Sequence, residues 1–115
     1  MSELLENLKA AGADTETGLA RCMGKESLYT MLIGTGLKDK NFDLLKDALE
    51  SGDFEKAFEC AHALKGLLNN LALTPLGDRV GELTDRLRAK EPIEYREDLD
   101  EIFRLLAEFR TLAGI

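Results

Sequence analysis

Residues 53–72 read DFEKAFECAHALKGLLNNLA. Asp53 is a good helix N-cap, because its carboxylate can accept an N–H that the first turn leaves without a partner. The helix it starts is expected to run to about Ala72. Successive residues turn by about 100° in an α-helix. On that spacing Ala57, Ala61, Leu64, Leu68 and Leu71 form one apolar stripe, widened by Cys60 and Leu67. Glu55, Phe58, Glu59, His62, Lys65, Gly66 and Asn69 fall on the other side. A helix with one such stripe has to bury it against other helices.

Those neighbours are legible on either side. Ser2 to Ala11 reads as a short helix ended by Gly12, with Leu4, Leu5 and Leu8 together. Asp14 or Thr15 can cap a second short helix that stops near Gly24. Tyr29, Leu32, Ile33, Gly36, Leu37, Leu44, Leu45, Ala48 and Leu49 then recur at helical spacing. They predict one long helix that bends between Gly34 and Asn41 and ends at Ser51-Gly52. Beyond residue 72, Thr74-Pro75 reads as a cap followed by proline at the first helical position. That helix carries Leu76, Val80, Leu83 and Leu87 and fades near Lys90, with Pro92 marking the turn. Tyr95, Leu99, Ile102, Phe103, Leu106, Phe109 and Leu112 outline the last one. The expectation is an all-α chain forming one domain over residues 1–115. Residues 1–24 supply one or two short N-terminal helices, and residues 25–113 an antiparallel four-helix bundle with short connections.

Composition agrees with that class and narrows the function. Of 115 residues 44% are hydrophobic, enough for a single core, and proline occurs only twice. The formal net charge of −7 argues against nucleic acid as partner, which needs clustered positive charge. No apolar run approaches the roughly 18 residues of a membrane span. The acidic N-terminus lacks the basic flank of a signal peptide. Cys22 and Cys60 are too few for a disulfide framework, and one histidine cannot complete a standard zinc set with them, so no metal site is expected. They read as buried or half-buried thiols.

His62 is the single histidine. Its place on the polar face sets aside a packed core histidine, leaving a solvated one or a functional one. Lys65 and Gly66 follow at the two spacings that share a helix face with it. Glycine inside a helix costs about 1 kcal/mol relative to alanine. Here it removes a side chain from the turn after the imidazole, which opens access to it. Lys65 offers positive charge to an anion at that place. Phe58, one turn before His62, is either half-buried against a neighbouring helix or an exposed aromatic suited to docking. A nucleophilic nitrogen, a cation and a missing side chain together suit a phosphoryl group.

The run Ala61-His62-Ala63-Leu64-Lys65-Gly66, followed by Asn70-Leu71-Ala72-Leu73, resembles the histidine-containing phosphotransfer (HPt) domain family. That family's signature is His-x-Leu-Lys-Gly with a Leu/Phe-Gly pair further along. Gly18 to Gly24, Glu26 to Tyr29, and Leu44 to Leu49 with Ser51-Gly52-Asp53 are similar to its lead-in, so the likeness covers roughly residues 12 to 110. The resemblance implies a cytoplasmic four-helix bundle that carries a phosphoryl group between receiver-domain aspartates in a multistep phosphorelay. It implies His62 as phosphoacceptor, Lys65 as electrostatic support and Gly66 as the residue that clears access. The partners it implies are response-regulator receiver domains and a sensor histidine kinase. Specificity is expected from the surface around His62, including Phe58, Glu59, Asn69 and Arg88. Two positions depart from the pattern. Ala72 stands where the family often has glycine, a change expected to bear on helix–helix packing. Thr84 stands where some members have a glutamine that helps position the site.

The chemistry expected is covalent and simple. Neutral imidazole, with a reference pKa of about 6.5, is a good nucleophile near neutral pH. Its Nε2, the outward tip, attacks an acyl phosphate in line. No cofactor is expected on this chain, and catalytic Mg²⁺ is expected on the partner receiver. There is no P-loop, so ATP is not expected to be used directly. A carrier rather than a stand-alone enzyme is the reading, with a monomer as the default state. Two alternatives are a phosphoacceptor domain from a chemotaxis-type or hybrid histidine kinase and a receiver-binding adaptor that is not phosphorylated. Length favours a free-standing or excised module, and the intact His-x-Leu-Lys-Gly run argues against the adaptor.

Overall fold

A computed structural model describes residues 1–92 and 94–115. Seven α-helices follow one another among them: α1 (Glu3–Ala10), α2 (Thr15–Arg21), α3 (Glu26–Leu37), α4 (Asn41–Ser51), α5 (Phe54–Asn70), α6 (Thr74–Arg88) and α7 (Arg96–Leu112). Three begin on side-chain caps. Ser2 Oγ accepts from Leu5 N–H at 3.3 Å, Asp14 Oδ1 from Thr17 N–H at 3.2 Å and Asp53 Oδ1 from Lys56 N–H at 3.1 Å. Asp14 also accepts from the Thr17 hydroxyl at 2.7 Å, and these two bonds hold its carboxyl below the usual range.

The bundle is an up-and-down arrangement in which α4 packs on α5, α5 on α6 and α6 on α7. α3 and α1 lie against α7, and α2 bridges α1 and α3. Arg110 Nε donates to the Leu37 carbonyl at 2.8 Å, tying the last helix to the end of α3. Tyr29, Ile33 and Leu37, Phe42, Leu45 and Leu49, Leu64 and Leu68, Leu76, Val80 and Leu83, and Ile102, Leu106 and Phe109 meet in one buried core. Both cysteines are buried and free, and burial pushes the Cys60 thiol up.

Three local expectations change. The single long helix ahead of Gly52 is two helices, broken at Lys38–Lys40. The Lys38 and Asp39 N–H groups close back on Thr35 and Gly36 at 3.2 and 3.1 Å, tightening the turn, and Asp39 Oδ1 accepts from Asn41 N–H at 2.8 Å to start α4. Leu32 and Leu44, assigned to the apolar stripe of a continuous helix, are left partly exposed by that break. Leu73, not Thr74, is the N-cap of α6, so Thr74 and Pro75 both lie inside the first turn and Thr74 makes no capping bond.

The third concerns Ala72. Its φ is +59°, the left-handed region that favours glycine. It follows Leu71, the C-cap of α5, and closes a Schellman-type end: Leu73 N–H reaches the Leu68 carbonyl at 3.0 Å and Ala72 N–H the Asn69 carbonyl at 3.1 Å. Glycine is favoured here by the backbone, not by helix–helix packing as expected from the sequence. The end of α5 has further anchors. Arg21 Nη1 donates to the Asn69 and Asn70 carbonyls at 2.7 and 2.9 Å, and the Tyr29 hydroxyl donates to the Leu71 carbonyl at 2.6 Å. Positive charge at a helix C-terminus also complements its dipole.

Candidate functional site

α5 presents its two faces as its sequence pattern requires. Ala57, Cys60, Ala61, Leu64, Leu68 and Leu71 are buried, while His62, Glu59, Gly66 and Asn69 are exposed. His62 therefore stands in the middle of a 17-residue helix, exposed to solvent. Gly66 is open: a Cβ built there meets nothing within 4 Å. The missing side chain is not needed for packing inside this chain.

Lys65 is half-buried and leans on α6. A Cβ added at Gly81 would lie 3.6 to 3.9 Å from its Cε, Cδ and Cγ, so the stem runs across that glycine. One turn further on, the space above Gly77 is filled by the Asn69 side chain, and a Cβ there would collide with Asn69 Oδ1. Gly77 and Gly81 thus let α6 approach α5 beside the site. On the same register Thr84 comes level with His62. It is fully buried and its hydroxyl donates to the Val80 carbonyl at 2.7 Å, so it does not replace a polar side chain reaching for the imidazole.

Phe58 is half-buried and stacked with His62, ring centroids 5.7 Å apart and planes 16° from parallel. Of the two sequence readings of Phe58, half-burial holds. The Arg88 guanidinium lies over the same phenyl ring, its Cζ 5.6 Å from the centroid, and is paired with Asp85 at 3.1 Å. Arg88 thus meets Phe58 from α6. Glu59 stays on the exposed rim, and Asn69 sits toward the far end of α5 against Gly77.

A groove of about 770 Å³ opens beside Phe58, lined by Phe54, Glu55, Leu87, Arg88, Lys90, Glu91, Pro92 and Tyr95. Phe54 is 50% exposed and meets Tyr95 edge-on at 6.2 Å. The sequence reading missed this groove and the two α6 glycines. A Gly-x-x-x-Gly spacing is visible at Gly77 and Gly81, but only the register of α6 on α5 shows that it faces Asn69 and Lys65. No helix among the described residues is long and apolar enough to cross a membrane.

The model of the Hpt domain family matches residues 38–113, the span holding α4, α5, α6 and α7. Neither the curated proteins nor the solved structures give a match. Hpt domains are phosphocarriers that serve histidine phosphotransfer in phosphorelays, and they interact with response-regulator receivers and with kinases. The helical bundle and the match over two-thirds of its length place this chain in the Hpt domain family.

Proposed function

We propose that the protein carries a phosphoryl group on His62 between receiver-domain aspartates. The observation that supports this most directly is that a chain of a histidine-phosphotransfer family has one histidine, exposed in mid-helix beside an open glycine. Nε2 of the neutral imidazole attacks the phosphorus of an aspartyl phosphate. A P–N bond forms as the P–O bond to the carboxyl group breaks, and the receiver's aspartate leaves as carboxylate. The reverse step hands the group to the next receiver. Lys65 provides positive charge beside the phosphorylated ring, and Gly66 leaves room for the receiver's loops. Mg²⁺ belongs on the receiver's side of the contact. Glu59 and Asn69 contribute to the surface that the receiver meets, and Phe58 with Arg88 over its ring lies beside the imidazole. The protein works as a cytoplasmic monomer on this reading.

The test is label transfer. A receiver domain charged with radioactive phosphate is mixed with the protein, and acid-labile, base-stable label is followed. Wild type is expected to take up label and His62→Gln to take up none. Label that persists in His62→Gln would assign the chemistry to another residue, and absence of transfer from a panel of receivers would remove the carrier reading.

A further inference from the structure

An imidazole on a solvent-facing helix position samples several staggered wells about χ1 and a broad range about χ2. In-line phosphoryl transfer needs one of them, because the attacking lone pair lies in the ring plane and has to align with the bond that breaks. Thr84, the residue of α6 level with His62, is fully buried, gives its hydroxyl proton to the Val80 carbonyl and makes no hydrogen bond to the exposed imidazole. The aromatic neighbour the ring does have is Phe58, near-parallel to it at 5.7 Å and 16°. Phe58 is itself braced by the Arg88 guanidinium at 5.6 Å, and Arg88 by Asp85 at 3.1 Å. Asp85, Arg88, Phe58 and His62 thus form a continuous line of contacts from α6 to the imidazole.

We propose that Phe58, braced by Arg88, is the positioning residue for His62; the inference rests on His62 being the phosphoacceptor. The offset stack lies against part of one imidazole face, and the in-plane lone pair of the unprotonated nitrogen lies along the ring edge. The stack selects one plane for the ring before the receiver arrives, so less orientation remains to be fixed in the transfer step. Phe58 touches neither phosphorus nor leaving group, and it acts through the ring it holds. The usual strength of an aromatic pair corresponds to a bias of about two- to tenfold among rotamers. Loss of the stack is therefore expected in the maximal transfer rate rather than in receiver affinity.

The test compares wild type, Phe58→Leu, Phe58→Tyr and Arg88→Gln, with a receiver domain charged by acetyl phosphate as donor. Two quantities are read: the ring-proton chemical shifts of His62 by NMR, and the transfer rate as a function of receiver concentration. Phe58→Leu is expected to abolish the ring-current displacement and to lower the maximal rate about two- to tenfold, the size of that bias, at an unchanged half-saturating concentration. Phe58→Tyr is expected to restore both, and Arg88→Gln to give an intermediate effect on both. Unchanged ring shifts in Phe58→Leu, an unchanged maximal rate, or a defect confined to the half-saturating concentration would each overturn the positioning role. The last outcome would make Phe58 a docking residue. Failure to label wild type at all overturns the carrier reading and this inference with it. Equal maximal transfer rates in wild type and Phe58→Leu, with wild type labelled, overturn this inference alone.

Discussion

Gly66 and Tyr29 show how single residues set the balance between stability and function. Gly66 has no packing partner and lies inside α5, so Gly66→Ala is expected to raise stability by about 1 kcal/mol through helix propensity alone. The same methyl group stands one turn from His62. On the carrier reading it slows transfer by roughly three- to tenfold, the rate equivalent of about 1 kcal/mol in the transition state. Chemical denaturation and transfer kinetics on one preparation check both halves. Tyr29 is fully buried, its ring lies against Gly18, and its hydroxyl is bonded to Leu71. Burial is the main cause that pushes this phenol up to about 12. A raised pKa favours the neutral form in the folded state. Its contribution is complete below the unfolded phenol value of about 10 and is lost as pH climbs through the folded value. In a Tyr95→Phe background, absorbance titration is expected to show the remaining phenol ionising near 12, together with unfolding. Ionisation near 10 without unfolding would contradict the buried hydrogen bond.

Helix ends carry the next set of consequences. Gly52 closes α4 at φ +78°, and a Cβ there meets nothing within 4 Å. Gly52→Ala therefore isolates backbone strain and is expected to destabilise by about 1–2 kcal/mol. Ala72 closes α5 in the same left-handed region but is buried. Ala72→Gly relieves about 1–2 kcal/mol of strain. It gives up about 0.8 kcal/mol of buried methyl and about 0.4–1 kcal/mol of unfolded-state entropy. The expected net change is within about 1 kcal/mol of zero. Melting curves for the pair check this: equal losses in both would mean that position 72 is governed by packing. The break at Lys38–Lys40 belongs to this scale too. The bonds found there, Lys38 and Asp39 N–H on Thr35 and Gly36 and the Asp39 carboxylate on Asn41 N–H, are local ones that apolar spacing does not register. Periodicity gave the helices and most of their buried faces but misplaced the ends, because a cap depends on a few dihedral angles.

In the whole molecule, α6 and α7 are tied by an ion pair as well as by core packing. Arg86 Nη1 meets Asp98 Oδ1 and Oδ2 at 2.9 and 2.7 Å. Asp98 is only 6% exposed, whereas the Arg86 side chain is 41% exposed. Asp98→Ala leaves a cation that water can reach, so the expected loss is about 1–3 kcal/mol, below the 3–5 of a fully buried broken pair. Arg86→Ala strands the buried carboxylate and is expected to cost more. Equal melting temperatures for the two variants would contradict that asymmetry. Sequence alone determined the all-helical class, the apolar stripe of α5, the outward placing of His62 and Gly66, and the family resemblance. These follow from spacing along one chain, because a rotation of about 100° per residue fixes which side chains share a face. Only the tertiary structure decided that Lys65 lies over Gly81, that Asn69 fills the space above Gly77, and that Arg88 reaches Phe58 behind His62. Those contacts depend on how far α6 slides along α5, which is set when the two apolar faces interlock and is written in neither helix by itself.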